Sequence, residues 1–258
     1  MFFLSWWKPA VQKLPSSTPQ SAIRSVGPPP AMRFTNLFDY GNRSNVLQQV
    51  AGYTLPNGHV LTICVGLTFE LEGENGAIVV ATDEMLSDND VLTAAGSTLR
   101  DDCAWIPLVK NTSGELVKCR TGSARIVGPN HYGNLNVPFI IYAVGPDFNN
   151  DKFRNNACLG KLALKKAYWS ALSFTKTKRI KSVALPLISA GIHRGKLDTF
   201  VIISVAVSAI KSWCTEPRVA TDNFCKDIVL FASSTDEAAK MIDVCDVLLS
   251  GQYKIYKL

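Results

Sequence analysis

Seven residues between Ser189 and Gly195 have the composition of an anion-binding turn. They read Ser-Ala-Gly-Ile-His-Arg-Gly and follow a short apolar run at Val183–Leu185. Glycine and other small residues let the main chain approach a ligand closely and adopt positive φ angles. Successive N–H groups of such a turn, together with the positive end of a following helix, attract an anion such as phosphate. The same pattern also occurs as a plain strand-to-helix turn, so both interpretations are open at this point.

Short apolar runs surround this turn and predict the strands of a sheet. Glycine or polar residues bound most of them, and their apolarity is continuous, which is typical of strands covered on both faces. The predicted strands are Val60–Val65, Ala77–Ala81, Phe139–Val144, Val183–Leu185 and Ile228–Ala232.

Helical patterns lie between these runs. Apolar residues spaced three and four apart predict helices over Leu159–Leu172, Leu197–Trp213 and Met241–Leu249. Thr235 is predicted to cap the last helix, with acidic residues in its first turn. Strands that alternate with helices predict an α/β fold, a three-layer α/β/α sandwich around a mixed central sheet.

The charge of the chain is unevenly distributed. Residues 1–38 contain four basic residues and no acidic one, which leaves +2 of the overall +6 for the other residues. A nearly neutral body lacks the basic surface of a dedicated nucleic-acid binder, so we expect no nucleic-acid partner. No apolar run approaches the roughly 18 residues needed for a transmembrane segment.

We predict a basic tail rich in Pro and Ser over residues 1–45 and one folded domain over 46–258. The tail is either an organelle-targeting segment or a disordered extension. The seven cysteines form no Cys-x-x-Cys pair, and with only three histidines no zinc spacing occurs, so neither a metal nor a cofactor is expected. Buried, reduced thiols predict an intracellular compartment, either cytoplasm or nucleus, or an organelle if the tail is a targeting segment. The oligomeric state is left open.

Five segments of the chain form a recognisable series, namely Ala77–Asp83, Thr93–Gly96, Cys119–Ala124, Ile140–Pro146 and Leu185–Ile192. Read in order, they resemble the macrodomain family, whose members bind ADP-ribose and in many cases hydrolyse ADP-ribose esters. The order and spacing of the segments together are specific, although each alone is not. The resemblance implies a ligand bound across the carboxyl ends of the strands, as is general for open α/β sheets.

The resemblance assigns the second phosphate loop of the family to Ser189, Ala190, Gly191, Ile192 and His193. His193 would neutralise phosphate or exchange a proton near neutral pH, unless it is a plain surface residue.

Phe231 ends the last predicted strand. Its ring would stack on a base or a ribose, unless it belongs to the core.

Other positions depart from the family pattern. The first phosphate loop, Met85–Leu92, has two aspartates and lacks the usual glycine run. Asp83 occupies the position of an asparagine that touches the distal ribose; it is a candidate general base, or else a loop acid or cap. Leu67 replaces the acid that holds adenine, and Glu70 is a possible substitute. We therefore expect a cleft between the two loops that is narrower or more acidic on the first-loop side.

Two functions follow from this pattern. The first is a divergent macrodomain that binds ADP-ribose, an ADP-ribosylated protein or a related nucleotide diphosphate. It would be a reader or a weak ADP-ribosyl-ester hydrolase, such as an O-acyl-ADP-ribose deacylase. The alternative is a degenerate macrodomain that serves as a structural or protein-interaction module without a ligand.

Overall fold

The computed structural model of this protein describes residues 48–87, 89–217, 224–249 and 255–257. All of them belong to one unit of the chain, residues 33–258. The tail predicted over residues 1–45 lies outside the described residues. None of the described helices is long and apolar enough to cross a membrane.

Eight strands form a mixed sheet in the order β10-β1-β2-β9-β8-β3-β7-β6. The inner strands β2, β9, β8, β3 and β7 are parallel, whereas β10, β1 and β6 pair antiparallel with their neighbours. Strands β4 and β5 form a separate hairpin. The strands are β1 (Gln48–Thr54), β2 (Val60–Val65), β3 (Gly76–Thr82), β4 (Val109–Lys110), β5 (Leu116–Val117), β6 (Ser123–Val127), β7 (Phe139–Val144), β8 (Ser182–Pro186), β9 (Asp227–Ala232) and β10 (Ile255–Lys257).

Helices cover both faces of this sheet. They are α1 (Asn89–Ala104), α2 (Asp151–Arg154), α3 (Ala157–Thr177), α4 (Thr199–Cys214) and α5 (Thr235–Leu249). Buried residues of α3, α4 and α5 form one apolar cluster with alternate residues of the strands, including Ile141 of β7. The next residue, Tyr142, faces the other way, and Cys103 of α1 lies 3.4 Å from its hydroxyl. The predicted three-layer α/β/α sandwich with a mixed sheet is therefore confirmed.

After the neighbouring strands β3 and β8, the chain continues to opposite faces of the sheet. They pair in parallel through Gly76–Ile78 and Ser182–Ala184. The chain continues from β3 into α1 on one face and from β8 into α4 on the opposite face. Ligands of open α/β sheets bind in the crevice that such a divergence opens at the carboxyl ends of the strands. The loops after β3 and β8 leave the sheet side by side at this edge.

The five predicted strands are all present within one residue of their predicted ends, whereas the helices differ more. Helix α3 continues to Thr177 rather than Leu172. The prediction that Thr235 caps the last helix is wrong, because the Ser234 hydroxyl accepts the hydrogen bond from the Glu237 amide.

Helix α4 begins at Thr199 rather than Leu197, because Asp198 accepts a hydrogen bond from the Phe200 amide and so caps it. Helix α1 already begins at Asn89, so the prediction of a loop throughout Met85–Leu92 is wrong in its second half.

A buried histidine closes the amino-terminal end of the sheet. His59 is fully buried, its Nδ1 lies 2.8 Å from the Cys225 carbonyl oxygen, and its ring lies 5.6 Å from that of Trp213. Its Nε2 has no partner among the described residues. Burial lowers the pKa of His59 because the imidazolium would lose its hydration, although the Cys225 carbonyl opposes this effect.

We expect acid to destabilise the fold through His59. Folding lowers the pKa of His59, so its contribution to the unfolding free energy is complete above the unfolded pKa of about 6.5. That contribution is lost as the pH falls towards the pKa of His59 in the folded protein. Between pH 7.5 and 5.5 the loss of unfolding free energy reaches up to about 1.4 kcal/mol. Urea unfolding at both pH values measures it. The pH-dependent difference shrinks in His59→Gln and persists in His131→Gln, which alters an exposed histidine; an equal difference in both variants contradicts the assignment.

Candidate functional site

The loop after β8 is held in shape by the loop after β7. Ser189 adopts a φ of 60° and is buried, and its hydroxyl donates a 2.8 Å hydrogen bond to the Pro146 carbonyl. Gly145 makes room for it, since a Cβ atom there would lie 2.2 Å from the Ser189 Oγ. Below the loop, the buried hydroxyl of Tyr168 accepts a hydrogen bond from the Ile188 amide. The start of the loop is therefore tightly packed.

Further bonds join the distal ends of the same two loops. The Phe148 amide donates to the His193 carbonyl at 2.8 Å, and the Asn149 side-chain amide donates to the Ile192 carbonyl at 2.7 Å. These contacts engage the carbonyl oxygens of the β8 loop and direct them towards the β7 loop. The N–H groups of the β8 loop point away from the β7 loop.

Three successive amides of this loop are free. Among the described residues, no acceptor lies within hydrogen-bonding reach of the main-chain N–H groups of Gly191, Ile192 and His193. Gly191 is exposed and a Cβ atom there would meet nothing within 4 Å, while Ile192 is 85% exposed. The Ala190 amide differs, since it bonds to the Leu187 carbonyl at 3.4 Å. The free amides are an arrangement that can bind an anion.

Helix α4 does not add its positive end directly to this loop, which corrects the prediction that the following helix contributes to the anion-binding turn. A 3-10 turn, Ile192–Arg194, and a left-handed Gly195 at a φ of 58° intervene. The first turn of α4 is capped by its own Asp198 carboxylate. An anion bound at this loop would therefore depend on the loop amides rather than on a helix dipole.

His193 lies beside a carboxylate at the edge of this loop. Its Nδ1 is 3.5 Å from the Asp147 Oδ2, and both side chains are about half exposed. Partial burial raises the pKa of Asp147, but hydrogen bonds from Asn149 and the charge of His193 outweigh it and lower that pKa overall. Asp147 therefore stays ionised and orients the imidazole.

Asp83 stands at the end of β3, where Thr82 pairs with Val144 and brings it next to the β7 loop. Its Oδ1 accepts 2.9 Å hydrogen bonds from the amides of Met85 and Ser87, so this oxygen caps its own loop. The residue is exposed. One carboxylate oxygen thus fixes the loop, which is the structural role left open above, and the other oxygen stays available for a ligand or water.

Glu84, which the sequence analysis did not single out, lies next to Asp83 in the loop after β3. Its carboxylate accepts hydrogen bonds from the amide and hydroxyl of Thr121 at 2.8 and 2.9 Å and from the Asn111 side chain at 2.9 Å. Despite partial burial, which raises it, these bonds lower the pKa of Glu84. Glu84 therefore fastens the loop after β3 to the segment before β6, along one wall of a polar crevice of about 450 Å³. Only its position next to Asp83 could have suggested it.

The residues considered for the nucleobase end lie after β2 and in β9. Leu67 is half exposed, so an apolar side chain faces solvent where the family has an acid. Glu70 is buried, its Oε2 has no partner among the described residues, and burial raises its pKa. Phe231 is 4% exposed and lies among the buried apolar residues. The predicted roles of these residues remain predictions.

No three His, Cys, Asp or Glu side chains of the described residues come together as a metal site requires. All seven cysteines are free, and only Cys158 is exposed. Burial raises the pKa of the Cys64 and Cys225 thiols to about 12, which keeps them protonated.

Comparison with known proteins relates this geometry to one family. The model of the Macro domain family matches residues 87–203. A macro domain-containing protein of Vibrio parahaemolyticus is 36% identical over 133 residues, which are 52% of this chain and 66% of the relative. O-acetyl-ADP-ribose deacetylase 1 of Pantoea vagans is 31% identical over 131 residues, 51% of this chain and 67% of the relative. The chain thus spans about two thirds of the length of these relatives.

Solved structures share the fold. The Oceanobacillus iheyensis macrodomain with ADP superposes with a TM-score of 0.60 at 24% identity, covering 78% of this chain and 98% of that one. The Trypanosoma brucei macrodomain in complex with ADP gives a TM-score of 0.54 at 19% identity, covering 72% of this chain and 69% of that one. At these identities the likeness concerns the fold alone.

Proposed function

Because this chain belongs to the macro domain family, we propose that it binds ADP-ribose or a closely related nucleotide diphosphate, free or attached to a protein. The observation that supports this most directly is the set of free amides at Gly191, Ile192 and His193. The names of relatives agree, since one is an O-acetyl-ADP-ribose deacetylase and two structural neighbours contain ADP.

The diphosphate would lie against the loop after β8. Amides fixed before binding stabilise an anion without the entropy cost of ordering them, and the bonds to Pro146, Phe148 and Asn149 supply that order. His193 and Arg194 add positive charge at the same edge. The first loop contributes less, because Asp83 and Asp90 place negative charge on that side.

A weak hydrolase activity is the finer part of the proposal. The bond broken is the ester between an acyl group and a ribose oxygen. Water would attack the acyl carbon, the free oxygen of Asp83 would accept a proton from that water, and the ribose oxygen would leave and take up a proton. Asp83 suits this role because its other oxygen is already fixed by the Met85 and Ser87 amides.

The same proposal includes the organisation of the chain. Residues 46–258 would form the ligand-binding domain, preceded by the basic tail over residues 1–45. A reducing intracellular compartment suits the thiols, six of which are buried.

Titration of the whole protein with ADP-ribose by calorimetry tests the binding proposal. Heat that saturates at micromolar to submillimolar ligand supports it. A flat titration at millimolar ADP-ribose contradicts it and favours the degenerate module without a ligand.

Asp83→Asn separates catalysis from loop structure. The amide oxygen still accepts the Met85 and Ser87 hydrogen bonds, but it cannot take a proton at neutral pH. We expect release of acetate from O-acetyl-ADP-ribose to fall by about 100-fold or more, whereas ADP-ribose affinity is kept or improved by the loss of a negative charge. Asp101→Ala, an exposed acid on α1, is the control. If the parent protein releases no acetate, the hydrolase part fails and the binding part stands.

A further inference from the structure

Helices α3 and α4 leave an apolar groove open on their outer side. Its volume is about 560 Å³, and Leu162, Phe200, Val201 and Val205 line it. Leu162 is 49% exposed and Phe200 is 40% exposed. Apolar side chains grouped in a groove mark an interaction surface more often than scattered ones do. No residue of the loops after β3 and β8 lines the groove, although Leu162 also borders the crevice beside Glu84.

The charged residues that line this groove are lysines, while the exposed Asp198 caps α4 two residues before Phe200. Helices α3 and α4 together contain five lysines and no acidic residue. Two of the lysines, Lys161 and Lys165, are one helical turn apart and border the groove. Helix α5 has the opposite character, with four acidic residues and one lysine. The apolar groove therefore has a cationic border that no neighbouring acid on its two helices neutralises.

We propose that this groove binds an acidic amphipathic helix of a partner protein. Such a helix would insert apolar side chains spaced three and four residues apart between Leu162 and Phe200, as helix-in-groove complexes do. Its Asp or Glu side chains would face Lys161 and Lys165. Complementary charge sets the choice and orientation of the partner, while the apolar contacts supply most of the affinity.

Two other occupants fit less well. Residues 1–38 of this chain contain four basic residues and no acidic one, so they offer no negative charge to the groove lysines. Helix α5 of a second copy is acidic, but its apolar residues Ala238, Met241 and Cys245 are buried in its own core. Of its large apolar side chains, only Val247 is more than half exposed. Neither offers both the apolar stripe and the negative charge.

The test uses a pair of synthetic fluorescein-labelled 18-residue peptides. Both carry leucine at helical spacing. One peptide has glutamate at all the remaining positions, and its twin has lysine at those positions. Fluorescence anisotropy with the whole protein is expected to show a dissociation constant on the order of 10–100 µM for the acidic peptide and at least tenfold weaker binding of the twin. Phe200→Ser is expected to weaken binding of the acidic peptide by roughly tenfold. Because Phe200 is exposed, we expect this variant to stay folded.

A charge swap gives the decisive comparison. The double variant Lys161→Glu, Lys165→Glu should reverse the preference between the two peptides, whereas Lys178→Glu, beyond the end of α3, should leave it unchanged. An unaltered preference in the double variant, or no binding at 1 mM protein, overturns the proposal. Two further results also overturn it: binding to phosphatidylserine vesicles that Phe200→Ser abolishes assigns the groove to a membrane, and a dimer that Phe200→Ser dissociates assigns it to a second copy.

Discussion

Gly191→Glu is expected to weaken the binding of ADP-ribose by roughly 30- to 1000-fold while the protein stays folded. A side chain at this position enters open space, since a Cβ atom would meet nothing within 4 Å. The carboxylate would then stand among the free amides and repel the diphosphate. At a separation of a few ångströms and an intermediate effective dielectric, this repulsion is about 2–4 kcal/mol.

Gly191→Ala is the matched control for the charge. It adds only a methyl group to the same open space, and any effect of replacing glycine on the backbone is common to both variants. We therefore expect Gly191→Ala to bind ADP-ribose at least about tenfold more tightly than Gly191→Glu. Calorimetry measures both affinities, and circular dichroism checks the fold. Equal affinities of Gly191→Glu and the parent would place the diphosphate elsewhere and refute the assignment of the site.

The second large effect is expected at Gly145. A methyl group there would lie 2.2 Å from the Ser189 Oγ and 2.5 Å from a methyl carbon of Ile188. Gly145→Ala must therefore push the start of the β8 loop away and break the bond from Ser189 to the Pro146 carbonyl. We expect a loss of about 1–3 kcal/mol in unfolding free energy, typical of overpacking, and at least about tenfold weaker binding of ADP-ribose.

Gly52→Ala provides the control for this change. Gly52 lies in β1, and its added Cβ would approach nothing closer than 3.9 Å, so stability should change by less than about 0.5 kcal/mol. The double variant Gly145→Ala, Ser189→Gly removes the closer of the two clashes and suits the φ of 60° at position 189. It should regain part of the lost stability, a non-additive result in a double-mutant cycle. Additive losses in urea unfolding would show that Gly145 and Ser189 do not interact.

The inner strands could be predicted because burial on both faces leaves a continuous apolar run, as in Phe139–Val144. Edge strands lack this signal. Strand β1 reads Gln-Gln-Val-Ala-Gly-Tyr-Thr, and β6 alternates around Arg125, so neither stands out in the sequence. The hairpin strands β4 and β5 are two residues each, too short for any pattern.

The anion loop shows where sequence reasoning reaches its limit. Glycine at 191 suggested a positive φ or close packing, but its φ is −78° and its surroundings are open. The positive φ falls on Ser189, and the glycine that close packing requires is Gly145. Sequence identifies the residues of such a loop, but which of them is crowded depends on a neighbour more than forty positions away.

Four contacts join the loop after β8 to the loop after β7: Ser189 with Pro146, His193 with Phe148 and Asp147, and Ile192 with Asn149. A graft of residues 189–193 alone onto another scaffold would therefore lose its shape, because its carbonyls would turn towards solvent. The transferable module is the pair of loops. An ancestor that altered one of them would have needed compensating changes in the other, so the two are expected to diversify together.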